Sequence, residues 1–123
     1  MTYVMFLTLE GSGSNAYIKV VKKSQEVARN TKATQKLSWH LSQNAYQGKV
    51  HSFKWLDTVP SDTFGPAQPT PAGKRYNMDD NNDRDDAAGD FAYELTVKIG
   101  TKIYSTSPPG MTAGASDPAI KNK

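Results

Sequence analysis

The chain has 123 residues, of which 37% are hydrophobic and 22% charged, with a net charge of +3 at pH 7; these values predict one domain spanning residues 1–123. The sequence contains no cysteine, which excludes disulfides, thiolate metal sites, blue copper and a cysteine nucleophile. Basic residues dominate positions 1–56, but they are dispersed and no nucleic-acid-binding motif accompanies them. We therefore expect a solvated basic face and no nucleic-acid partner.

The first element is an apolar run over residues 1–9 that follows no basic residue and ends at Glu10. This pattern predicts a strand rather than a secretion signal or a membrane span. We accordingly expect a cytoplasmic protein with no membrane partner.

Further short strands follow, separated by turn residues. The predicted strands span residues 2–9, 16–23, 34–41, 50–56, 74–78, 91–99 and 102–105. Only Ser24–Asn30 suggests a short helical stripe, and four prolines exclude a helix or a central strand from 59–73. The spacing predicts an all-β fold: an antiparallel β-sandwich, immunoglobulin- or cupredoxin-like, or a flattened barrel. The C-terminal segment 106–123 carries the Asp117-Pro118 pair, and its residues 108–123 are expected to be irregular, with Ile120 as an anchor.

The strand at 91–99 has two distinct faces. Tyr93, Leu95, Val97 and Ile99 form an apolar row, while Ala92, Glu94, Thr96 and Lys98 form the other row. The simpler interpretation of the second row is a solvated sheet face with an ordinary charge pair. This second row also places a carboxylate, a hydroxyl and an amine in line. These groups could catalyse a reaction on a substrate that lies over this face.

Asp117-Pro118 is the one Asp-Pro pair in the sequence. The proline nitrogen carries no N–H, and it leaves more readily than an ordinary amide nitrogen once it is protonated. The Asp117 carboxylate can reach its own carbonyl carbon through a five-membered ring. Chance alone gives about half an Asp-Pro pair at this composition, so the pair needs support from other residues.

That support would come if the folded chain placed Asp117 over the polar row formed by Ala92, Glu94, Thr96 and Lys98. Glu94 would then be a second carboxyl near the bond, and since two adjacent carboxyls resist joint ionisation, one could donate a proton to the Pro118 nitrogen. Lys98 could stabilise a developing oxyanion or capture an activated Asp117 acyl group as an isopeptide bond.

The acidic loop at residues 79–90 offers a second set of carboxylates. Positions 1, 3, 5 and 12 of a calcium-loop template match Asp79, Asn81, Asp83 and Asp90. Arg84 occupies the position that requires glycine, and strands flank the loop, so a solvated turn is the better interpretation. We expect no metal and no cofactor; Asp79 or Asp80 could instead position a water.

Five stretches of the sequence form a recognisable set: Gly89–Val97, Lys102–Tyr104, Ser116–Asn122, Leu37–Trp39 and Asp80-Asn81. Together they resemble the small bacterial DP-EP proteins, whose name stands for Asp-Pro endopeptidase. The resemblance covers nearly the whole chain, and it implies a β-sandwich that cleaves its own chain at the Asp-Pro bond. A carboxylate would activate water or assist the aspartate.

Mapped onto this sequence, the cleaved bond is Asp117-Pro118, and Lys98 matches the strand position expected to face it. The catalytic carboxylate stays open among Glu94, Asp80 and Asp79. We therefore expect an autoproteolytic, aspartic-type peptidase whose substrate is its own C-terminal segment.

The alternative is a non-catalytic ligand- or protein-binding module that uses Trp55, Phe64 and the proline-rich segment. The oligomeric state is left open.

Overall fold

The computed structural model describes residues 1–107 and 117–123, which form ten strands and three short 3-10 helices. The strands are β1 (Thr2–Glu10), β2 (Tyr17–Val20), β3 (Ser24–Val27), β4 (Gln35–Leu41), β5 (Lys49–Trp55), β6 (Gln68–Pro69), β7 (Arg75–Asp80), β8 (Gly89–Ile99), β9 (Lys102–Ser105) and β10 (Ala119–Asn122). The 3-10 helices are Gly13–Asn15, Gln43–Ala45 and Asp85–Ala87. No helix in the described ranges is long and apolar enough to cross a membrane.

The strands form two sheets, which confirms the predicted all-β sandwich. The first sheet has the order β2-β1-β4-β7-β6, and the second has the order β3-β10-β8-β5 with β9 also paired to β8. The expectation of purely antiparallel sheets is wrong: β1 pairs with β4 in parallel, and β10 pairs with β3 in parallel. In each of these pairs the two strands lie far apart in sequence. The chain between them is therefore long enough for the crossover connection that parallel pairing requires. The described strands do not close into a barrel.

Side chains from both sheets fill the space between them. Trp39 on β4 is fully buried and donates a 2.8 Å hydrogen bond from Nε1 to the hydroxyl of Tyr93 on β8. Burial raises the pKa of that tyrosine, and the hydrogen bond from Trp39 opposes this shift. Leu95 and Val97 follow Tyr93 at alternate positions and are also fully buried, so the predicted apolar row of this strand faces the core.

Two segments differ from the sequence-based expectation. Residues 24–27 form the strand β3 instead of a helical turn, because parallel pairing with β10 buries Gln25 and Val27 and outweighs local propensity. The C-terminal residues 119–122 form a strand instead of an irregular tail, with Ile120 fully buried as predicted. The other predicted strands are present: the strand at 102–105 has the predicted bounds, and the others have shifted ends.

The neighbours of β8 set up the candidate site. β5 pairs along one edge over residues 93–98, so β9 and β10 share the opposite edge. β10 pairs with residues 89–92 and β9 with residues 96–99. The two strands therefore approach each other beside residues 93–95.

Candidate active site at the junction of β9 and β10

Register places Asp117 close to Glu94. Ala119 pairs with Ala92 in the antiparallel β8–β10 ladder, and Tyr93 donates a 3.0 Å backbone bond to the Pro118 carbonyl just beyond it. Continuing this register by one more residue brings Asp117 level with Glu94. The two side chains then belong to the same face of the sheet, because side chains alternate along each strand.

A chain of hydrogen bonds joins these two carboxyls. The Ser105 hydroxyl donates to Oε2 of Glu94 at 2.5 Å, and the backbone N–H of Ser107 donates to the Ser105 hydroxyl at 2.9 Å. The Ser107 hydroxyl in turn donates to Oδ1 of Asp117 at 2.5 Å. Two serines therefore fix the carboxyls relative to one another.

The Asp117-Pro118 bond lies where the C-terminal strand begins. Asp117 is only 7% exposed, and Pro118 is buried. On the far side of the bond, the Pro118 carbonyl is held by Tyr93, and the Ala119 N–H donates to the Lys23 carbonyl at 2.9 Å. The part of the chain that begins with Pro118 is thus fixed by both neighbouring strands.

The rest of the polar row has ordinary cross-strand partners from β5. Lys54 lies opposite Glu94 in the register, and its Nζ is 3.3 Å from Oε1 of that glutamate. Thr96 shares a 2.6 Å hydrogen bond with the Ser52 hydroxyl. On its β5 side, this row is the solvated face that the simpler interpretation expects.

Lys98 does not share the junction. It is exposed and lies opposite Ile103 of β9 in the register, four residues along β8 from Glu94. Four residues of strand span about 13 Å, which is beyond direct contact between the amine and the carboxyls at the junction.

Asp79 and Asp80 lie on β7 in the other sheet. Asp79 pairs with Lys36 at 3.3 Å on the sheet surface. Asp80 is fully buried, and its Oδ1 accepts a 3.0 Å hydrogen bond from Nδ2 of Asn122. Asn122 is five residues, or about 16 Å of strand, from Asp117. The structure therefore does not bring Asp79 or Asp80 to the Asp-Pro bond.

Asp80 belongs to a separate buried polar cluster around the end of β10. Nδ2 of Asn122 also donates to the Ala87 carbonyl at 3.1 Å, and Nδ2 of Asn82 donates to the Lys123 carbonyl at 3.1 Å. Burial raises the pKa of Asp80 to about 6, although the hydrogen bond from Asn122 lowers it. Asp80 Oδ2 and the Oδ1 atoms of both asparagines have no hydrogen-bond partner among the described residues.

The calcium-template residues have separate partners. Oδ1 of Asn81 accepts from Thr34, Asp83 pairs with Arg84, and Asp90 lies 3.9 Å from Lys121. Within residues 1–107 and 117–123, no group of three or more histidine or acidic side chains is arranged to hold a metal ion.

The aromatic residues of the alternative function pack inward. The rings of Trp55 and Phe64 lie 4.3 Å apart, and both side chains are half-buried against the core. Trp55 also contacts Phe91 and Tyr93. These aromatic residues therefore contribute to the hydrophobic core.

No family model matches the chain, and no curated protein matches it. The resemblance to the DP-EP proteins stays a prediction.

Sequence reasoning missed Ser105 and Ser107, although a signal was present. A turn at Gly100 and Thr101 joins β8 to β9 and pairs Ile99 with Lys102. Counting onward from this turn puts Ser105 opposite Thr96 and Thr106 opposite Leu95, so that Ser107 follows beside the junction.

Proposed function

We propose that the protein cleaves its own Asp117-Pro118 bond, as an aspartic-type, single-turnover peptidase. The observation that carries this proposal is the serine-linked pair of carboxyls, Glu94 and Asp117, beside a buried Asp-Pro bond. The arrangement supplies a fixed nucleophile and a second carboxyl that can transfer a proton.

In the first step, a carboxylate oxygen of Asp117 attacks the carbonyl carbon of the same residue. The new C–O bond closes a five-membered anhydride while the C–N bond to Pro118 breaks. Attack within one residue benefits from high effective concentration, and a restrained side chain loses little further freedom on reaction. The hydrogen bond from Ser107 provides that restraint.

The departing Pro118 nitrogen must gain a proton as the C–N bond breaks. The proposed proton donor is the protonated form of Glu94. This residue is level with Asp117 in the register and directly follows Tyr93, which pairs with Pro118. A water molecule then hydrolyses the anhydride and regenerates the side-chain carboxyl. The products are a chain ending at Asp117 and a peptide beginning with the secondary amine of Pro118.

A groove lies beside the two serines of the junction. It has a volume of about 510 Å³ and is lined by Ser105 and Ser107 together with Gly13, Ser14 and Tyr104, among others. Water can approach the two serines from this groove. Direct attack by a water that a carboxylate activates is a second proposed route to the same products.

Intact-mass measurement of matched variants tests the proposal. Asp117→Asn should leave the chain uncut because its amide is a poor nucleophile, and we expect a rate loss of at least about 10³-fold. Lys98→Ala is the matched control on the same strand, and its cleavage rate should stay within about twofold of wild type because the amine is remote from the junction.

The same experiment distinguishes the binding-module alternative. A binding module would give one intact mass for every variant, whereas self-cleavage gives a fragment whose new N-terminus is Pro118. Cleavage at equal rates in wild type and Asp117→Asn would refute the proposed nucleophile.

A further inference from the structure

The position of β10 suggests a second activity. This strand lies inside its sheet, parallel to β3 on one edge and antiparallel to β8 on the other. Cleavage before Pro118 would separate residues 118–123 from residues 1–117, so that only non-covalent contacts would hold the strand in place.

We propose that the slot between β3 and β8 then becomes an exchangeable peptide-binding site, which accepts the 118–123 segment of a second copy of this chain. In the natural protein, the proposed self-cleavage would start this exchange, so the trigger depends on the proposed function. The recognition itself rests on the contacts of β10.

Backbone hydrogen bonds give the site its general affinity for an extended peptide. The N–H groups of Ala119 and Lys123 donate to the Lys23 and Val27 carbonyls at 2.9 and 3.0 Å. Tyr93 donates to the Pro118 carbonyl from the opposite side. Adding an extended peptide to exposed sheet edges is an established mode of peptide binding.

Two inward side chains give the site its selectivity. Ile120 is fully buried in the core, which requires an apolar residue at the third position of the peptide. Asn122 places its two Nδ2 hydrogens toward two buried acceptors, Oδ1 of Asp80 and the Ala87 carbonyl. One primary amide therefore satisfies two acceptors at once.

The buried site that holds the Asn122 side chain should discriminate against similar side chains at this position. An aspartate at position 122 would bring a second carboxyl against Asp80 and would supply no amide donor. A leucine would leave both acceptors unpaired in a buried position, and sites built on buried hydrogen bonds discriminate strongly against analogues that lack the donor.

The outward lysines contribute less to recognition. Lys121 lies 3.9 Å from Asp90, and Lys123 lies 3.4 Å from Glu26, at partly exposed positions. Exposed ion pairs are weak and screened by salt, so the lysines should affect binding modestly and only at low ionic strength.

The test uses a cut that does not depend on self-cleavage. In a full-length Asp117→Asn variant, which should not cut itself, a recognition sequence for a site-specific protease replaces residues 110–115, and the folded protein is cut there. Denaturing mass spectrometry confirms the cut. The sample is then incubated with an excess of isotope-labelled Pro-Ala-Ile-Lys-Asn-Lys peptide, and native mass spectrometry measures incorporation, with the uncut protein as control.

We expect one labelled peptide per cut molecule and less than one tenth of that in the uncut protein. Peptides with N122D or I120A should bind at least about 100-fold more weakly, whereas K121A should bind within about threefold of the wild-type peptide. No incorporation into the cut protein, whether its own strand is retained or lost, overturns the proposal. Equal binding of the N122D peptide overturns the selectivity. Failure of wild type to cut itself would refute the proposed function but leave this test valid.

Discussion

The Ser107 hydroxyl lies 2.5 Å from Oδ1 of Asp117, and this hydrogen bond joins the end of β9 to the start of β10. Both strands pair with the same edge of β8. The bond therefore fixes the carboxyl that we propose as the nucleophile.

Replacing Ser107 with alanine should slow cleavage by about tenfold, because the Asp117 carboxyl would lose its fixed orientation. A hydrogen bond to a charged group contributes about 1.5–3 kcal/mol, so the free energy of unfolding should also fall. Ser107→Thr keeps the hydroxyl and should restore most of the rate. Rates from denaturing mass spectrometry that are equal for the alanine and threonine variants would contradict a positioning role.

Glu94→Gln should keep the fold and reduce the cleavage rate by about 10²-fold, the usual contribution of a positioned general acid. The glutamine carbonyl can still accept the hydrogen bond from Ser105, but it carries no transferable proton. Cleavage is followed by mass spectrometry from pH 4 to pH 8, and circular dichroism checks the fold. A rate like that of wild type at every pH would remove Glu94 from the mechanism.

Asp80 predicts a pH dependence of stability unrelated to cleavage. Burial raises its folded-state pKa from 3.8 to about 6, so the folded protein binds a proton more tightly than the unfolded chain does. The stability from this group is present below about pH 4 and is lost as the pH rises to about 6.

Asp80→Asn removes this titration and keeps an acceptor for Asn122. The variant should therefore gain stability relative to wild type between pH 4 and pH 7, by about 2–3 kcal/mol. Urea unfolding followed by tryptophan fluorescence measures the difference. Asp79→Asn is the matched control and should stay within about 1 kcal/mol, because its ion pair with Lys36 is exposed. A constant difference between Asp80→Asn and wild type across this range would contradict the prediction.

Much of the fold could be predicted because alternation of apolar and polar residues identifies half-buried strands. Residues 91–99 show this clearly, since Tyr93, Leu95 and Val97 are all buried. β3 could not be found in this way, because its four residues are stabilised by pairing with a strand almost a hundred residues later. The parallel pairs were missed for the same reason: local patterns do not encode distant partners.

The candidate site was predictable only in part. Glu94 and Asp117 could be proposed from bond chemistry and strand alternation, and the structure brings both to one junction. Lys98 shares the predicted face but lies too far along the strand. Asp80 was a plausible carboxylate, yet its contact with Asn122 depends on how β7 and β10 meet across the sandwich.

The most direct test of self-cleavage is the intact mass of freshly purified protein during prolonged incubation at mildly acid pH, read under denaturing conditions. We predict loss of the full-length mass and appearance of two species separated at Asp117-Pro118, with much slower cleavage in urea because unfolding disrupts the junction. A single full-length mass that does not change, or cleavage that proceeds equally fast in urea, would contradict folding-dependent self-cleavage.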